Sequence, residues 1–490
     1  MKEVKNNLEK LFEKWANEKP LEIINLAQSG SNRKYFRIVG REKKVIGVLN
    51  KDKKENIAFF SFTNHFLNKG LRVPKLYAKN LKDNIYLVED LGDMTLFSIA
   101  EREKSAKQFS GRLMGYFKNA LSELIRFQIE GKKGLDFSVC YPRKAFDKQS
   151  IVWDLNYFKY YFLKLAKIHF DEQKLEDDFN SFAELLIECD RNYFMYRDFQ
   201  SRNILVNEDN LCFVDYQGGR KGALQYDVAS LLFQAKVNLP EKIREELLIH
   251  YLFELKKKIK VDTKTFNKYY YSYVLIRLLQ TLGAYGFRGY YENKSHFLLS
   301  IPSAIKNLEW LSDNNHLPKK LAELNHVVTA MIENKGINNF ELKSSSKKLK
   351  VNINSFSYKE GIPKDFTGNG GGFVFDCRSL ENPGRYPEYS HSTGLDENVI
   401  RFLKERDDVK DFLSAVYSII DESVTNYLKR DFKNLMISFG CTGGQHRSVF
   451  CAEQLANHIL ENFSTVNSFT SDGDISVLVN HTQIHKKDLF

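Results

Sequence analysis

A chain of 490 residues, 43% hydrophobic and 13% aromatic, is long enough for two or three domains, each burying its own core. No apolar run approaches the roughly 20 residues of a membrane span, and six cysteines without paired spacing exclude a disulfide framework and a zinc site. The net charge of +11 is spread along the chain with lysines beside glutamates, so it reads as solvated faces while staying compatible with RNA or an anionic metabolite.

The N-terminal MKEVKNNLEKLFEKW lacks the apolar core of a signal peptide, and a cytoplasmic protein is expected. Residues 1–18 are expected as a helix with Leu8, Leu11, Phe12 and Trp15 on one face. IINLAQSGSNRKYFRIVG follows as strand, small polar turn and strand, and KKVIGVLNKD as a third strand. Next come a helix over 55–69, an extended edge from Val73-Pro74, and a strand running into a turn at IYLVEDLGD. Residues 94–190 carry Phe and Tyr at helical spacing, which places most of them in a core.

The stretch from Tyr193 to Asp215, YFMYRDFQSRNILVNEDNLCFVD, reads as three short strands joined by polar turns. Asp198, Asn203 and Asp215 stand at the polar ends of those strands. One carboxylate there suits the proton of an attacking hydroxyl, while an amide and a second carboxylate suit Mg2+ on nucleotide phosphates. The spacing YRDxxxxN, followed by Asp215 at the end of an apolar strand, resembles the aminoglycoside phosphotransferase/choline kinase family, the small-molecule branch of the protein-kinase-like fold.

That resemblance implies ATP and Mg2+ as cofactors, Asp198 as the catalytic residue, and Asn203 and Asp215 as metal ligands. It also implies a loop of Ser29, Gly30, Ser31 and Asn32 over the phosphates with Arg33 close by, and a hinge whose main chain at Glu89, Asp90 and Leu91 meets the adenine. Asn50 stands where the family has its phosphate-binding lysine, with Lys51, Lys53 and Arg33 as candidate replacements. Asp227, before an apolar helix, corresponds to the buried carboxylate that supports the catalytic loop; a simple helix N-cap is the alternative. Three or four helices are expected over 241–335, with Arg277, Arg288 and Tyr290 as candidate substrate contacts. NKGINNFELKSSSKKLK is polar and small-residue rich, a linker.

Beyond it, KNLMISFGCTGGQHRSVFCAEQLANHIL (433–460) reads as a strand ending at Phe439, a glycine-rich turn, and an amphipathic helix from about Arg447. Such a turn aims free N–H groups and the positive end of a helix at one point, an anion site. Thr442, His446, Arg447 and Ser448 add side-chain donors, and Arg grips phosphate through two N–H groups. With VNINSFSYKEGIP, FVFDCRSLENP and HSTGLDENVIRFL upstream, the region resembles the C-terminal domain of RapZ-type RNase adapter proteins. The implied ligands are an amino-sugar phosphate and small RNA. The implied site is Asp376, Arg378, Thr442, Gly443, Gly444, His446, Arg447 and Ser448.

Two departures stand out: Gly384 where the family often has His, and a kinase-like region in place of the usual P-loop NTPase domain. Cys441 to Arg447 also fits the C-x5-R phosphate loop of cysteine-dependent phosphatases, with Asp376 as general acid; a packed Cys441 is the other reading. DISVLVNHTQIHKKDLF is expected as a last strand and a polar tail. His481, His485, Lys486 and Lys487 there are candidates for phosphate or RNA contact, or simply solvated.

The fold class expected is α+β and α/β: a two-lobed protein-kinase-like domain (1–335), a linker (336–349), and a smaller α/β domain of RapZ C-terminal type (350–490). The expected function is an ATP- and Mg-dependent phosphotransferase, a kinase acting on a hydroxyl of a sugar or N-acetylated amino sugar, with a fused domain that binds a phosphosugar or RNA. No membrane partner is expected. The alternative is a regulatory adapter binding RNA and phosphosugar, its kinase-like region inactive.

Overall fold

A computed structural model describes residues 2–26, 33–105, 109–208, 210–292, 294–334, 337, 349–365, 367, 370–430, 432–463 and 475–484. It divides into two compact units, Met1–Phe287 with Ser300–Phe340, and Arg288–Leu299 with Glu341–Phe490. The expected linker lies outside the described residues except for Ile337 and Leu349. Among the described residues no helix is long and apolar enough to cross a membrane.

The first unit opens with α1 (Lys2–Ala16), then β1 (Glu22–Asn25), β2 (Lys34–Val39), β3 (Lys44–Leu49), α2 (Lys53–Asn68), β4 (Leu76–Asn80) and β5 (Ile85–Glu89). These strands form one antiparallel sheet in the order β1-β2-β3-β5-β4. Alternation decides its faces: Phe36, Ile38, Val45, Ile85 and Leu87 pack with Leu8 and Phe12 of α1, which leaves Tyr35 and Arg37 on the opposite side. A Cβ at Gly47 would meet Leu8 and Ile38 at 2.9 Å, so the helix lies directly on the sheet there. Asp52 caps α2 by accepting from the N–H groups of Lys54 and Glu55, which starts the helix two residues before the expected 55.

Helices then take over: α3 (Leu96–Ser105), α4 (Gly111–Ile129), α5 (Lys148–Phe158) with a π-helical turn over Lys159–Leu163, and α6 (Glu172–Ile187). Four short strands interrupt them, β6 (Tyr193–Met195), β7 (Ile204–Asn207), β8 (Asn210–Phe213) and β9 (Arg220–Gly222), pairing antiparallel as β6 with β9 and β7 with β8. After them come α7 (Leu224–Leu232), α8 (Glu241–Lys256), α9 (Thr263–Gly286), the single turn α10 (Ser295–Leu298), α11 (Ile301–Asp313) and α12 (Ala322–Glu333). That is more helices than the three or four expected. The middle of the long α9, Ser272 to Leu279, is buried on every side, as its Tyr, Val, Leu and Ile side chains require. It approaches α5 through glycines: a Cβ at Gly283 would lie 2.9 Å from the Phe158 nitrogen, and one at Gly286 would fall on the Tyr161 carbonyl.

In the second unit β10 (Leu349–Ser357), β11 (Phe373–Asp376), α13 (Glu397–Lys404), α14 (Asp407–Lys429), β12 (Asn434–Cys441), α15 (Arg447–Phe463) and β13 (Ile475–His481) build a four-stranded parallel sheet, ordered β11-β12-β10-β13. β12 runs two residues past the expected Phe439. The sequence reading left out α14, although Val409, Leu413, Val416, Ile420 and Val424 recur at helical spacing and join the core. Because all strands run one way, Ser357, Asp376, Cys441 and His481 end at the same edge of the sheet, where open α/β sheets take ligands.

Gly286→Val forces a branched side chain against the Tyr161 carbonyl and is expected to cost about 3 kcal/mol of stability in denaturant unfolding. Gly115→Ala, on an open stretch of α4, is its control and gains up to about 1 kcal/mol.

Candidate functional site

Asp198, Asn203 and Asp215 converge between the β6–β9 and β7–β8 ribbons. The Asn203 amide donates to the Asp198 carbonyl at 2.8 Å and to Asp215 Oδ2 at 3.4 Å, while the Val214 N–H donates to the Asn203 carbonyl at 3.0 Å. Arg197 and Asp215 hold left-handed backbone conformations, φ +81° and +69°, which turn the chain so that neighbouring polar groups face one point. Behind Asp215, Tyr216 stacks on Phe59 of α2 with centroids 5.4 Å apart, tying the site to that helix. The Asp198 side chain is 40% exposed, open to an incoming molecule.

Asp227, in the first turn of α7, is fully buried and receives the N–H groups of Tyr196 at 2.7 Å and Arg197 at 2.9 Å, one on each oxygen. The carboxylate therefore holds the backbone just before Asp198 rather than capping its own helix. Arg197 leans the other way, donating to Asp154 of α5 at 2.6 Å and lying over the rings of Phe146 and Tyr226.

Asn50, in the strand-lysine position, is buried and donates to Glu55 Oε2 at 2.8 Å. Lys51 and Lys53 are exposed. Of the three candidates, Arg33 is the one at the cluster: its guanidinium pairs with Glu55, bonds Asp215 Oδ1 at 2.9 Å, and reaches the Tyr35 hydroxyl at 3.2 Å. Burial pushes the Asp215 carboxyl up, but Arg33 and the Gln217 amide, 2.7 Å away, outweigh it and hold that group below the usual carboxylate range. Glu55 and Gln217 were not anticipated from sequence. The signal for Glu55 was its place in the first turn of the helix after the strand, three residues past the Asp52 cap.

Ser29, Gly30, Ser31 and Asn32 lie outside the described residues. At the expected hinge the Asp90 side chain is committed to Arg37, 2.7 and 3.0 Å, and to Lys44, 3.2 Å. Glu89 accepts from the Lys75 N–H at 3.1 Å, and Leu91 is buried. Of the three candidate substrate contacts, Arg277 stands 3.6 Å from Asp198 Oδ1. Arg288 is paired with Glu292 and, like Tyr290, lies in the segment that groups with the second unit.

In the second unit the glycine-rich turn leaves Thr442 and Gly443 exposed, with open space around Gly443 and a left-handed Gly444, φ +69°. The side-chain donors expected around them face elsewhere. Arg447 is buried and donates to the carbonyls of Arg378 at 3.0 Å and Leu380 at 2.9 Å, His446 lies 3.1 Å from the Tyr389 carbonyl, and Ser448 Oγ is 3.1 Å from Cys441 Sγ. An arginine engaged with two carbonyls is not the phosphate grip a cysteine phosphatase needs, and the buried Cys441 accepts from the Gly444 N–H at 3.1 Å as a packed strand-end residue. Asp376 and Arg378 form an exposed ion pair at 2.6 Å, the guanidinium over the Tyr358 ring. His481 bridges Ser355 and Glu453; His485, Lys486 and Lys487 lie outside the described residues.

Burial pushes the Asp227 carboxyl up to about 7, against the pull of its two N–H donors. An unfolded aspartate titrates near ~3.9, so the stability this group contributes is complete below that pH and is lost as pH rises through 7. Wild type minus Asp227→Asn, measured by denaturant midpoints, is therefore expected to fall by up to about 4 kcal/mol between pH 4 and 8. A flat difference contradicts the assignment.

Residues 22–258 match the family model described as phosphotransferase enzyme family, and residues 349–473 match that of the RapZ C-terminal domain. The chain is similar to a nucleotide-binding protein of Thermotoga neapolitana, 37% identical over 126 residues that cover 26% of this chain and 43% of that protein. One from Xylella fastidiosa strain M12 is 34% identical over 177 residues, 34% of this chain and 56% of that one. The chain thus spans about half the length of these curated relatives. Among solved structures it is similar to an ethanolamine kinase of Plasmodium vivax (TM-score 0.43, 13% identical, 58% of this chain and 81% of that one). It is also similar to a choline kinase of Cryptosporidium parvum (TM-score 0.43, 12% identical, 63% and 93%). The chain is thus similar to the phosphotransferase enzyme family over residues 22–258 and to the RapZ C-terminal domain over residues 349–473.

Proposed function

We propose that this protein is an ATP- and Mg2+-dependent kinase that phosphorylates a hydroxyl of a sugar or N-acetylated amino sugar, with a second domain that binds a phosphosugar. One observation carries the reading: Asp198, Asn203 and Asp215 are joined in a single cluster whose Asp215 is tied through Arg33 to Glu55 of α2. The phosphotransferase-family match over the same residues supports it.

In this reading Asp198 orients the acceptor hydroxyl and receives its proton as the acceptor oxygen bonds the γ-phosphorus and the bond to the ADP oxygen breaks. Asn203 and Asp215 offer the oxygen donors that suit Mg2+, which neutralises phosphate charge when bound. Arg33 takes the place of the strand lysine, the loop Ser29–Asn32 covers the phosphates, and main-chain groups at Glu89–Leu91 meet the adenine. In the second domain Thr442, Gly443 and Gly444 present the anion site, with the Asp376–Arg378 pair at the same edge of the sheet; RNA is a second candidate ligand. The amino sugar is inferred from the pairing of a kinase region with a phosphosugar-type domain.

The test is ATP consumption over a panel of free sugars and amino sugars with Mg2+. Turnover on one acceptor is expected, reduced by roughly 1,000-fold in Asp198→Asn with ATP affinity retained. Mg-ATP that fails to bind, with salt-dependent RNA binding intact in Asp198→Asn, would put the adapter in place of the kinase. Arg33→Met is expected to weaken ATP binding by roughly 10- to 100-fold in calorimetry, and Arg33→Lys by less, since a charge-assisted contact is lost in the first and only its fork geometry in the second.

A further inference from the structure

Arg277 sits in the middle of α9, 6% exposed, in the apolar run YVLIRLLQ. Burying a guanidinium there costs several kcal/mol unless the group is paired and hydrogen-bonded. Its donors are used in an ordered way. Nε donates to Ser230 Oγ on α7 at 2.9 Å, and Nη1 reaches Gln280 and, at 3.1 Å, Thr281 Oγ1 one turn along α9. Nη2 is left facing Asp198 Oδ1 across 3.6 Å, beyond hydrogen-bond length but within ion-pair range. The helix bearing it is fixed against α5 by the close approach at Gly283 and Gly286. So the guanidinium is immobilised on three sides and the partly exposed carboxylate is what it meets on the fourth.

The neighbourhood explains why a cation belongs there. Asp227 is fully buried beneath the same loop, and its proton affinity is raised by Asp198 and lowered by Arg277, so the arginine lies near both carboxylates. Without it, the Asp198 carboxylate loses the cation that its Oδ1 faces and is free to turn toward solvent. Of the loop's own cations, Arg197 is largely buried but committed to Asp154 at 2.6 Å, and Arg202 is exposed, so neither takes the place of Arg277 opposite Asp198 Oδ1.

We propose that Arg277 is the positioning residue of the acceptor side: it holds the Asp198 carboxylate by charge in the orientation that meets the acceptor hydroxyl. This rests on the kinase reading above. Arg33 serves the Asp215 side and Arg277 the Asp198 side, so their loss acts on different steps.

The test compares Arg277→Met, Arg277→Lys and Arg277→Ala with wild type in full-length protein, using the acceptor found by the sugar panel, with thermal melts to confirm folding. Arg277→Met is expected to lower kcat roughly 100-fold while the KM for ATP moves less than about two-fold, and Arg277→Lys to recover about a tenth of the wild-type rate. In Arg277→Ala, millimolar guanidinium is expected to restore activity where sodium chloride at the same ionic strength does not; a purely structural arginine would give no such selective rescue. A folded Arg277→Met variant with wild-type kcat overturns the proposal while leaving the kinase reading intact. Wild type that turns over no acceptor overturns the kinase reading and this proposal with it.

Discussion

Arg33 brings one guanidinium within reach of two carboxylates from distant parts of the first unit, Glu55 of α2 and Asp215 after β8. The guanidinium is largely buried, and an isolated ion in such a place costs several kcal/mol. The cost is met only while all three stay together, so the positions of α2, of β2 and of the chain after β8 are linked. A planar fork does this better than an ammonium, because separate N–H groups address separate oxygens. Asn50, short and neutral, fits beside Glu55 precisely where a lysine would compete with Arg33 for the same carboxylate.

The helical side of the cleft repeats the device with other partners. Arg197 pairs with Asp154, Asp227 takes the backbone N–H groups of Tyr196 and Arg197, and Arg277 faces Asp198. Cations and carboxylates alternate, so each polar group near Asp198 is fixed by one behind it. The supporting elements are rigid for apolar reasons: the middle of α9 is buried on all sides, the helix lies on α5 through glycine, and Tyr216 is stacked on α2.

How much of this was legible follows from distance along the chain. Asp198, Asn203 and Asp215 lie within two hairpin turns, where polar residues between apolar strands already mark a site. Asp227 stood out before its apolar helix, but its partners did not, since they lie in the segment just after β6, about thirty residues away. The joints Arg33–Asp215 and Arg277–Asp198 connect residues that no local period relates, and only tertiary packing brings them together. A signal for the second existed, a lone arginine in YVLIRLLQ, because a charge in a buried helix must have a partner. The helix α14 was legible from the helical spacing of Val409, Leu413, Val416, Ile420 and Val424. The direction of Arg447 was not legible: a donor-rich sequence at a helix start does not say which donors turn inward.

That inward turn changes what the second unit has to work with. Arg447 spends its charge on the carbonyls of Arg378 and Leu380, fixing the segment after β11 beside the start of α15. Side-chain charge is thereby used to shape the loop, and because the Gly444 N–H is taken by Cys441, recognition in the proposed reading falls to the main chain at the exposed Thr442 and Gly443, together with the exposed Arg378. Backbone donors at a helix start favour an anion without demanding one particular ligand. An exposed arginine stacked on Tyr358 and already bridged to Asp376 adds a charge that can exchange partners at little cost, since surface ion pairs are worth at most about 1 kcal/mol. In the proposed reading, selectivity for a sugar over a bare phosphate therefore comes from the shape of the edge formed by Ser357, Asp376 and Thr442, not from the count of positive charges.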